Sequence, residues 1–147
     1  MTSSIRIRSL LAAGLLVLAA GCDNGGSSPV APDQSSVQYS QVDLTVGTGA
    51  EATVGKTVVV QYIGWLYSET GTDHKGTQFD SGQLPPFVVG GTSLIKGFDM
   101  AVTGMKVGGV RRAIIPPSLA YGTTGNAAAG IPPNAAVVFE ILLGVVQ

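Results

Sequence analysis

The chain has 147 residues, of which 45% are hydrophobic, 12% are charged and 21 are glycine, with a net charge of −1. This length suffices for one domain with a substantial core, and the composition excludes a disordered chain. The eight Lys and Arg residues form no basic stripe, so no binding of nucleic acid is expected. Val, Thr and Gly are plentiful, which favours strands joined by turns.

Residues 1–21 have the pattern of a signal peptide. Arg6 and Arg8 precede the apolar run LLAAGLLVLAA, which is shorter than the roughly 20 residues of a membrane-spanning helix. The segment closes LAAGC, and Cys22 is the only cysteine of the chain. This ending resembles the lipobox of bacterial lipoproteins, which implies that residues 1–21 are removed and that Cys22 carries acyl chains. A plain secretory signal followed by a chance cysteine is the alternative.

Residues 22–36 are rich in Gly, Ser, Pro and Asp, which predicts a flexible linker between the lipid and a folded domain. We therefore expect an extracytoplasmic domain at the bacterial cell envelope, anchored in the membrane through Cys22. Asp23 resembles an inner-membrane retention residue of some bacteria, and the choice between inner and outer membrane stays open.

The domain is predicted to span residues 37–147 and to begin with strands. Residues 37–49 alternate apolar and polar side chains up to a pair of glycines, and residues 56–67 are β-branched and aromatic, as in a long strand buried near its centre. The polar residues 68–78 predict an exposed loop or hairpin. Residues 79–91 hold two short strand candidates around a proline-rich bend.

One later segment has the period of a helix. In residues 92–105, apolar side chains fall at 94, 95, 98, 101, 102 and 105, with Thr92 or Ser93 as the N-cap and Gly104 at the end. Residues 110–118 and 135–146 predict two more strands, and Phe139, Ile141 and Leu143 lie on one face of the second. The pattern predicts an α+β domain with antiparallel strands and a single short helix.

Motifs for strong nucleophiles, phosphates and metals are missing or incomplete. Residues 50–57, AEATVGKT, nearly match a phosphate-binding loop, but Ala50 replaces the first glycine and a strand follows instead of a helix. His74 is the only histidine and lies in the most polar loop, which supports neither a metal ligand nor a catalytic base. We expect no metal and no cofactor.

Several motifs occur in one order over residues 45–147: VVVQYIGWL, FDSG, GGTSLIKGFDMAVTGMKVGGVRRAIIPPSLAYGTTG and GIPPNAAVVFEILL. Together they resemble the FKBP-type peptidyl-prolyl cis-trans isomerases. The resemblance implies a five- to six-stranded antiparallel sheet wrapped around one short helix as a half-barrel. It places the active site in the hydrophobic hollow between the sheet and the helix.

The resemblance also assigns site residues. The catalytic positions fall on Tyr62, Asp80, Ile95, Tyr121 and Phe139, and the substrate-binding positions fall on Phe79, Phe87, Leu94, Phe98 and Ile131. Tyr121 O–H and the Ile95 N–H are expected to donate to substrate carbonyls, and Asp80 to accept a hydrogen bond or polarise the pocket edge. Without the family context, Phe139 and Leu94 are typical of a core, and Tyr62, Asp80 and Tyr121 of an ordinary strand or turn.

The chain departs from the family at three places. Phe98 stands where the family usually has Trp, the segment between Leu66 and Phe79 is longer than in compact members, and the segment between Asp80 and Phe87 is shorter. In the shortened segment, Pro85 stands at a position that is usually aromatic. These departures predict an altered pocket rim.

The sequence therefore predicts a monomeric, membrane-tethered isomerase that acts on proline-containing polypeptides during folding of exported proteins. Macrolide immunosuppressants are expected to bind by the same resemblance. Two alternatives remain: a proline-peptide binding module with incidental turnover, and an envelope lipoprotein that keeps the fold for packing only.

Overall fold

Six antiparallel strands and one α-helix make up residues 32–147, the part of the chain that the computed structural model describes. The elements are β1 (Ser40–Thr45), β2 (Thr57–Tyr67), β3 (Lys75–Gln83), β4 (Phe87–Val88), α1 (Lys96–Val102), β5 (Val110–Ile115) and β6 (Val137–Val146). The strand order in the sheet is β1-β5-β6-β2-β3, and β4 pairs with β2. This confirms the predicted fold class. The predicted signal peptide and Cys22 lie outside the described residues.

The core lies between α1 and one face of the sheet, which we call the inner face. Because side chains alternate along a strand, β2, β5 and β6 each send every second residue to this face. On β6 these are Val137, Phe139, Ile141 and Leu143, all at most 3% exposed. The opposite side of the sheet, the outer face, carries the intervening residues.

Helix α1 is shorter than predicted. It begins at Lys96 with Ile95 as its N-cap, and no side chain caps its start, so the prediction that Thr92 or Ser93 is the N-cap is wrong. Residues 92–94 form a bend instead, because Leu94 and Ile95 turn toward the inner face before the helix begins. Gly104 has a φ of 77° and ends the helix, as predicted.

The close approach of α1 to β5 depends on Gly97. A Cβ atom at this position would overlap Cγ2 of Ile115, so any other residue would push the helix away from the sheet. The neighbouring Phe98 thereby reaches β6, where its ring meets that of Phe139 edge to face with centroids 5.1 Å apart.

Arg111 joins the end of α1 to the edge strand β1. Its side chain is nearly buried, and Nη1 donates to the carbonyl oxygens of Ala101 (2.9 Å) and Thr103 (3.0 Å). Nε and Nη2 donate to the two carboxylate oxygens of Asp43 at 2.6 and 3.1 Å. The hydrogen bond from Arg111 lowers the pKa of Asp43 below its usual value. The guanidinium thus satisfies carbonyls that a helix end leaves unpaired.

The long segment after β2 contacts the outer face, although most of its residues are exposed. Asp73, in a short 3₁₀ turn (Thr72–His74), accepts a hydrogen bond from Arg112 of β5 at 2.8 Å. Arg112 also bonds Glu140 of β6 at 3.0 Å, and Lys75 lies 2.6 Å from the same carboxylate. The predicted exposed loop is therefore shorter than 68–78, because β3 already begins at Lys75.

The first strand is also shorter than predicted, and the chain before it contacts the domain. All six residues of β1 are exposed, including Val42 at 52%. Gln34, predicted to belong to the linker, donates its N–H to the Asn134 carbonyl at 3.2 Å, and its Oε1 accepts the Ala136 N–H at 2.8 Å. Within residues 32–147, no helix is long and apolar enough to cross a membrane.

Replacing Arg111 with Met is expected to lower the free energy of unfolding by about 3 kcal/mol, because two carbonyls at the end of α1 lose their buried partner and the exposed Asp43 loses its ion pair. The matched change Arg112→Met removes the same residue type from the outer-face network and is expected to cost less than about 1 kcal/mol. Urea unfolding of both variants measures the difference. Equal losses would contradict the assignment of Arg111 as the link to α1.

Candidate active site

A cavity of about 270 Å³ lies between the inner face and the start of α1. Its walls come from β2, β3, β6, the bend before α1 and the segment after β5. The lining residues are Tyr62, Phe79, Asp80, Leu84, Ser93, Leu94, Ile95, Phe98, Tyr121 and Phe139. The structure thus brings together eight of the ten residues that the sequence assigned to the site.

The other two predicted residues do not reach the cavity wall. Phe87 is 8% exposed and packs behind the cavity, with its ring centroid 6.4 Å from that of Phe98. Ile131 is 2% exposed, and its backbone exchanges two hydrogen bonds with Asn126. Both residues support the lining without being part of it.

Leu84 and Ser93 line the cavity although the sequence analysis did not assign them. The Leu84 N–H donates to the Val60 carbonyl at 3.1 Å, so the shortened segment after β3 runs back along β2. This contact is between residues far apart in the chain, and no local pattern marks it. Ser93 was missed as a lining residue because it was predicted to cap the helix, whereas it lies in the bend before α1.

The floor of the cavity consists of four aromatic rings packed edge to face. Phe98 meets Tyr62 with centroids 6.0 Å apart, and Phe79 meets Phe139 at 5.6 Å. Gly64 makes this possible, because a Cβ atom there would lie 2.7 Å from Phe79 and 2.8 Å from Phe139. The Y-x-G motif of β2 is therefore a packing requirement as well as a sequence signature.

Asp80 is the only lining residue with a carboxyl group, and both of its oxygens are engaged. Oδ2 accepts the Tyr62 O–H at 2.6 Å, and Oδ1 accepts the Ser81 N–H at 2.8 Å. These bonds fix the orientation of the carboxylate at the cavity wall.

Both lining tyrosines have raised pKa values. Burial raises the pKa of Tyr62 to about 12, with further contributions from its hydrogen bond to Asp80 and from the charges of Asp80 and Tyr121. Burial, followed by the charge of Asp80, also raises the pKa of Tyr121. Both hydroxyls therefore keep their protons throughout the neutral range and can act as hydrogen-bond donors.

Two donors face the cavity without a protein acceptor among residues 32–147. The Tyr121 O–H has no hydrogen-bond partner there, and neither does the Ile95 N–H. The Ile95 carbonyl is used differently, since it accepts from Phe98 and Asp99 in the first turn of α1. The site can thus donate two hydrogen bonds to a bound molecule.

The segment that carries Tyr121 is ordered by its own backbone. The Gly125 N–H donates to the Tyr121 carbonyl at 3.1 Å, and Asn126 pairs with Ile131 in both directions. A Cβ atom at Gly125, whose φ is 66°, would lie 2.5 Å from the Ile131 carbonyl oxygen. The tyrosine is therefore presented by a closed loop that Ile131 anchors in the core.

Taken together, the cavity offers apolar walls, two free donors and one fixed carboxylate. It holds no Ser, Cys or Lys next to a base, as nucleophilic catalysis would require. Among residues 32–147, no three His, Cys, Asp or Glu side chains cluster so that they could hold a metal ion. Such a site can bind an apolar group flanked by carbonyls and change its conformation, without covalent chemistry.

Comparison with known proteins points to one family. Residues 48–144 match the family model for the FKBP-type peptidyl-prolyl cis-trans isomerases. An FK506-binding protein of Neisseria meningitidis serogroup A is 41% identical over 105 residues, which cover 69% of this chain and 89% of that protein. FK506-binding protein 4 of Dictyostelium discoideum is 43% identical over 119 residues, covering 80% of this chain but only 30% of that larger protein.

A solved structure agrees with the sequence matches. The peptidyl-prolyl cis-trans isomerase of Pseudomonas syringae pv. tomato superposes with a TM-score of 0.61 at 32% identity, covering 80% of this chain and 83% of that one. The two chains therefore share a fold.

Tyr62 is expected to ionise near pH 12 in the folded protein, against about 10 for a free tyrosine. The bond to Asp80 favours the neutral phenol, so its stabilisation is complete below pH 10 and is lost as the pH rises toward 12. The pKa of Tyr62 is measured from phenolate absorbance after a rapid pH jump. Subtracting the absorbance of the Tyr62→Phe variant isolates the contribution of this residue. Asp80→Asn should lower the pKa, and an unchanged value in this variant would refute the coupling.

Proposed function

Because the chain belongs to the family of FKBP-type peptidyl-prolyl cis-trans isomerases, we propose that it accelerates cis-trans isomerisation of X-Pro bonds in polypeptides. The observation that carries this proposal is the cavity itself, with an aromatic floor and two free donors on its wall. Uncatalysed isomerisation takes tens to hundreds of seconds, long enough to limit folding.

The mechanism follows from what limits the uncatalysed reaction. Amide resonance gives the X-Pro bond a barrier of about 20 kcal/mol, and this resonance is lost in the twisted transition state. The twisted amide is less polar than the planar one, so a dry apolar cavity disfavours the planar ground state more. The prolyl ring would lie against Phe98, Phe139, Tyr62 and Leu94, which exclude water from it.

Hydrogen bonds then hold the substrate on both sides of the rotating bond. Tyr121 O–H and the Ile95 N–H would donate to the carbonyls that flank the proline, while Asp80 accepts from a substrate N–H with its remaining lone pairs. Because Tyr62 and Ser81 already fix this carboxylate, its binding to substrate costs little reorganisation. No proton is transferred, and none of these groups acts as a nucleophile.

The proposed substrates are proline-containing polypeptides, and FK506-type macrolides are proposed to compete for the same cavity. Phe98 in place of the usual tryptophan removes an indole N–H from the floor and shortens it. The floor still binds apolar rings through Phe98. At the rim, Leu84 belongs to this chain's shortened segment and Ser93 to the bend before α1.

Tyr121→Phe and Asp80→Leu are each expected to lower kcat/KM for a proline tetrapeptide about tenfold, the loss of one or two hydrogen bonds in the transition state. A protease-coupled isomerisation assay measures this, with thermal unfolding to confirm that the fold is retained. Tyr67→Phe is the matched control, because this ring stacks on His74 and does not line the cavity.

The outcome separates the enzyme from its main alternative. If the protein binds proline peptides at micromolar concentration but does not raise the isomerisation rate above background, it is a proline-peptide binding module and not an enzyme. Neither binding nor turnover would leave a protein that keeps the fold for packing only.

We further propose that the domain works outside the cytoplasm on exported proteins, tethered to the membrane of a bacterial cell through lipid on Cys22. The proposal is supported by the signal-like residues 1–21 and their LAAGC ending. Stable anchoring of this kind takes two acyl chains. Because Gln34 is bonded to Asn134 and Ala136, the proposed tether, predicted for residues 22–36, ends before Gln34.

Cys22→Ser is expected to move the full-length protein from the membrane fraction to the soluble extracytoplasmic fraction, because it removes the acylated thiol. Cell fractionation with immunoblotting checks this, and Ser27→Ala in the linker serves as the control. Unchanged membrane association of the Cys22 variant would refute lipidation.

A further inference from the structure

A second and larger cavity lies on the other side of the strands that form the candidate active site. It is a groove of about 570 Å³ on the outer face, against 270 Å³ for the active-site cavity. Its lining residues, which we call the outer groove, are Gln61, Tyr62, Ile63, Ser81, Gly82, Gln83, Val110, Glu140 and Leu142. The mechanism proposed above makes no use of it.

The two cavities are separated by the thickness of one edge strand. Asp80 lines the active site and the next residue, Ser81, lines the outer groove, because successive side chains point to opposite faces. Tyr62 belongs to the walls of both. At Gly82, directly opposite Tyr62 in the sheet, nothing lies within 4 Å of where a Cβ would be. At Gly82, therefore, only the backbone of β3 lies between the two cavities.

The strand between the cavities is also free to pair. Within the described part of the chain, β3 is the last strand of the sheet and pairs only with β2. Apart from the Ser81 N–H, which Asp80 Oδ1 accepts at 2.8 Å, its outward N–H and C=O groups are therefore available to an extended polypeptide, as in strand addition. A chain that crosses this edge spans about 10 Å, or roughly three extended residues.

The chemistry of the outer groove fits an uncharged, apolar segment. Ile63 is 37% exposed and lies near the half-buried Leu142 and Val110, with the amides of Gln61 and Gln83 at the sides. The only carboxylate in its lining is that of Glu140, and it is neutralised by Lys75 at 2.6 Å and Arg112 at 3.0 Å. The groove thus offers apolar contacts and backbone hydrogen bonds but no free charge.

We propose that the outer groove is a second binding site for the substrate polypeptide, resting on the proposed function. It holds an apolar segment about three to five residues from the proline while the proline occupies the cavity. The occupant is an unfolded chain because the groove shares the Tyr62 wall with a site whose proposed substrate is a polypeptide, and because the unpaired edge of β3 lies between the two. Holding one flank of the substrate there leaves the other free to rotate about the X-Pro bond.

The test compares two substrates of different length on the full-length protein. A tetrapeptide fills only the active site, whereas a reduced, carboxymethylated protein whose refolding waits on one X-Pro bond reaches the groove. The double variant Ile63→Thr/Leu142→Thr should lower kcat/KM for the unfolded protein about tenfold and leave that for the tetrapeptide within about twofold. Val145→Thr, an equally exposed residue on β6 outside the groove, is the matched control.

Each result decides the proposal. The proposal is overturned if the double variant loses kcat/KM equally with both substrates, or loses none with the unfolded protein. A change in oligomeric mass also overturns it, because the groove would then bind a second copy of the chain. If the wild type isomerises neither substrate, the proposed function fails but the groove is still tested by fluorescence anisotropy. Binding of the unfolded protein that is lost in the double variant and kept in Val145→Thr supports the groove, whereas equal binding overturns it. Ile63→Thr alone serves if the double variant does not fold.

Discussion

Helix α1 has seven residues, too few to be stable in water without tertiary contacts. It is held at both ends by different means. Gly97 lets it approach β5, so that Phe98 can pack on β6, and Arg111 binds the carbonyls at its end. The active-site cavity exists because the bend before the helix stands off the sheet while the helix itself is packed tightly. The position of the site is therefore a consequence of how α1 is held.

A rigid cavity suits a reaction that needs no reactive group. Four edge-to-face rings form a floor with little freedom to collapse, and the hydrogen bonds from Tyr62 and Ser81 fix the Asp80 carboxylate. The raised pKa of Tyr121 keeps its hydroxyl protonated, and therefore a donor, throughout the neutral range. For the proposed isomerisation, preorganised polar groups and the exclusion of water would supply the rate acceleration.

The two faces of the same strands have separate roles. Alternation sends Phe139 to the active site and Glu140 to the outer face, where it is paired with Arg112 and Lys75. The long segment after β2 covers part of the outer face through Asp73 and leaves the outer groove open beside β3. A sheet that is one layer thick at its edge can thus present two cavities to one extended chain.

The amino-acid sequence by itself determined the fold class and the strand and helix periods, because alternation is a local property, and the order of its motifs carried the family resemblance that assigned eight of the ten lining residues. Tertiary structure decided the rest. Phe87 and Ile131 lie behind the cavity and Leu84 lies in its wall, since the return of the shortened segment along β2 is a long-range contact. Likewise Arg111 and Asp43 meet across 68 residues of chain. Periodicity fixes the face to which a side chain points, but only the register between distant strands decides which neighbour it meets there.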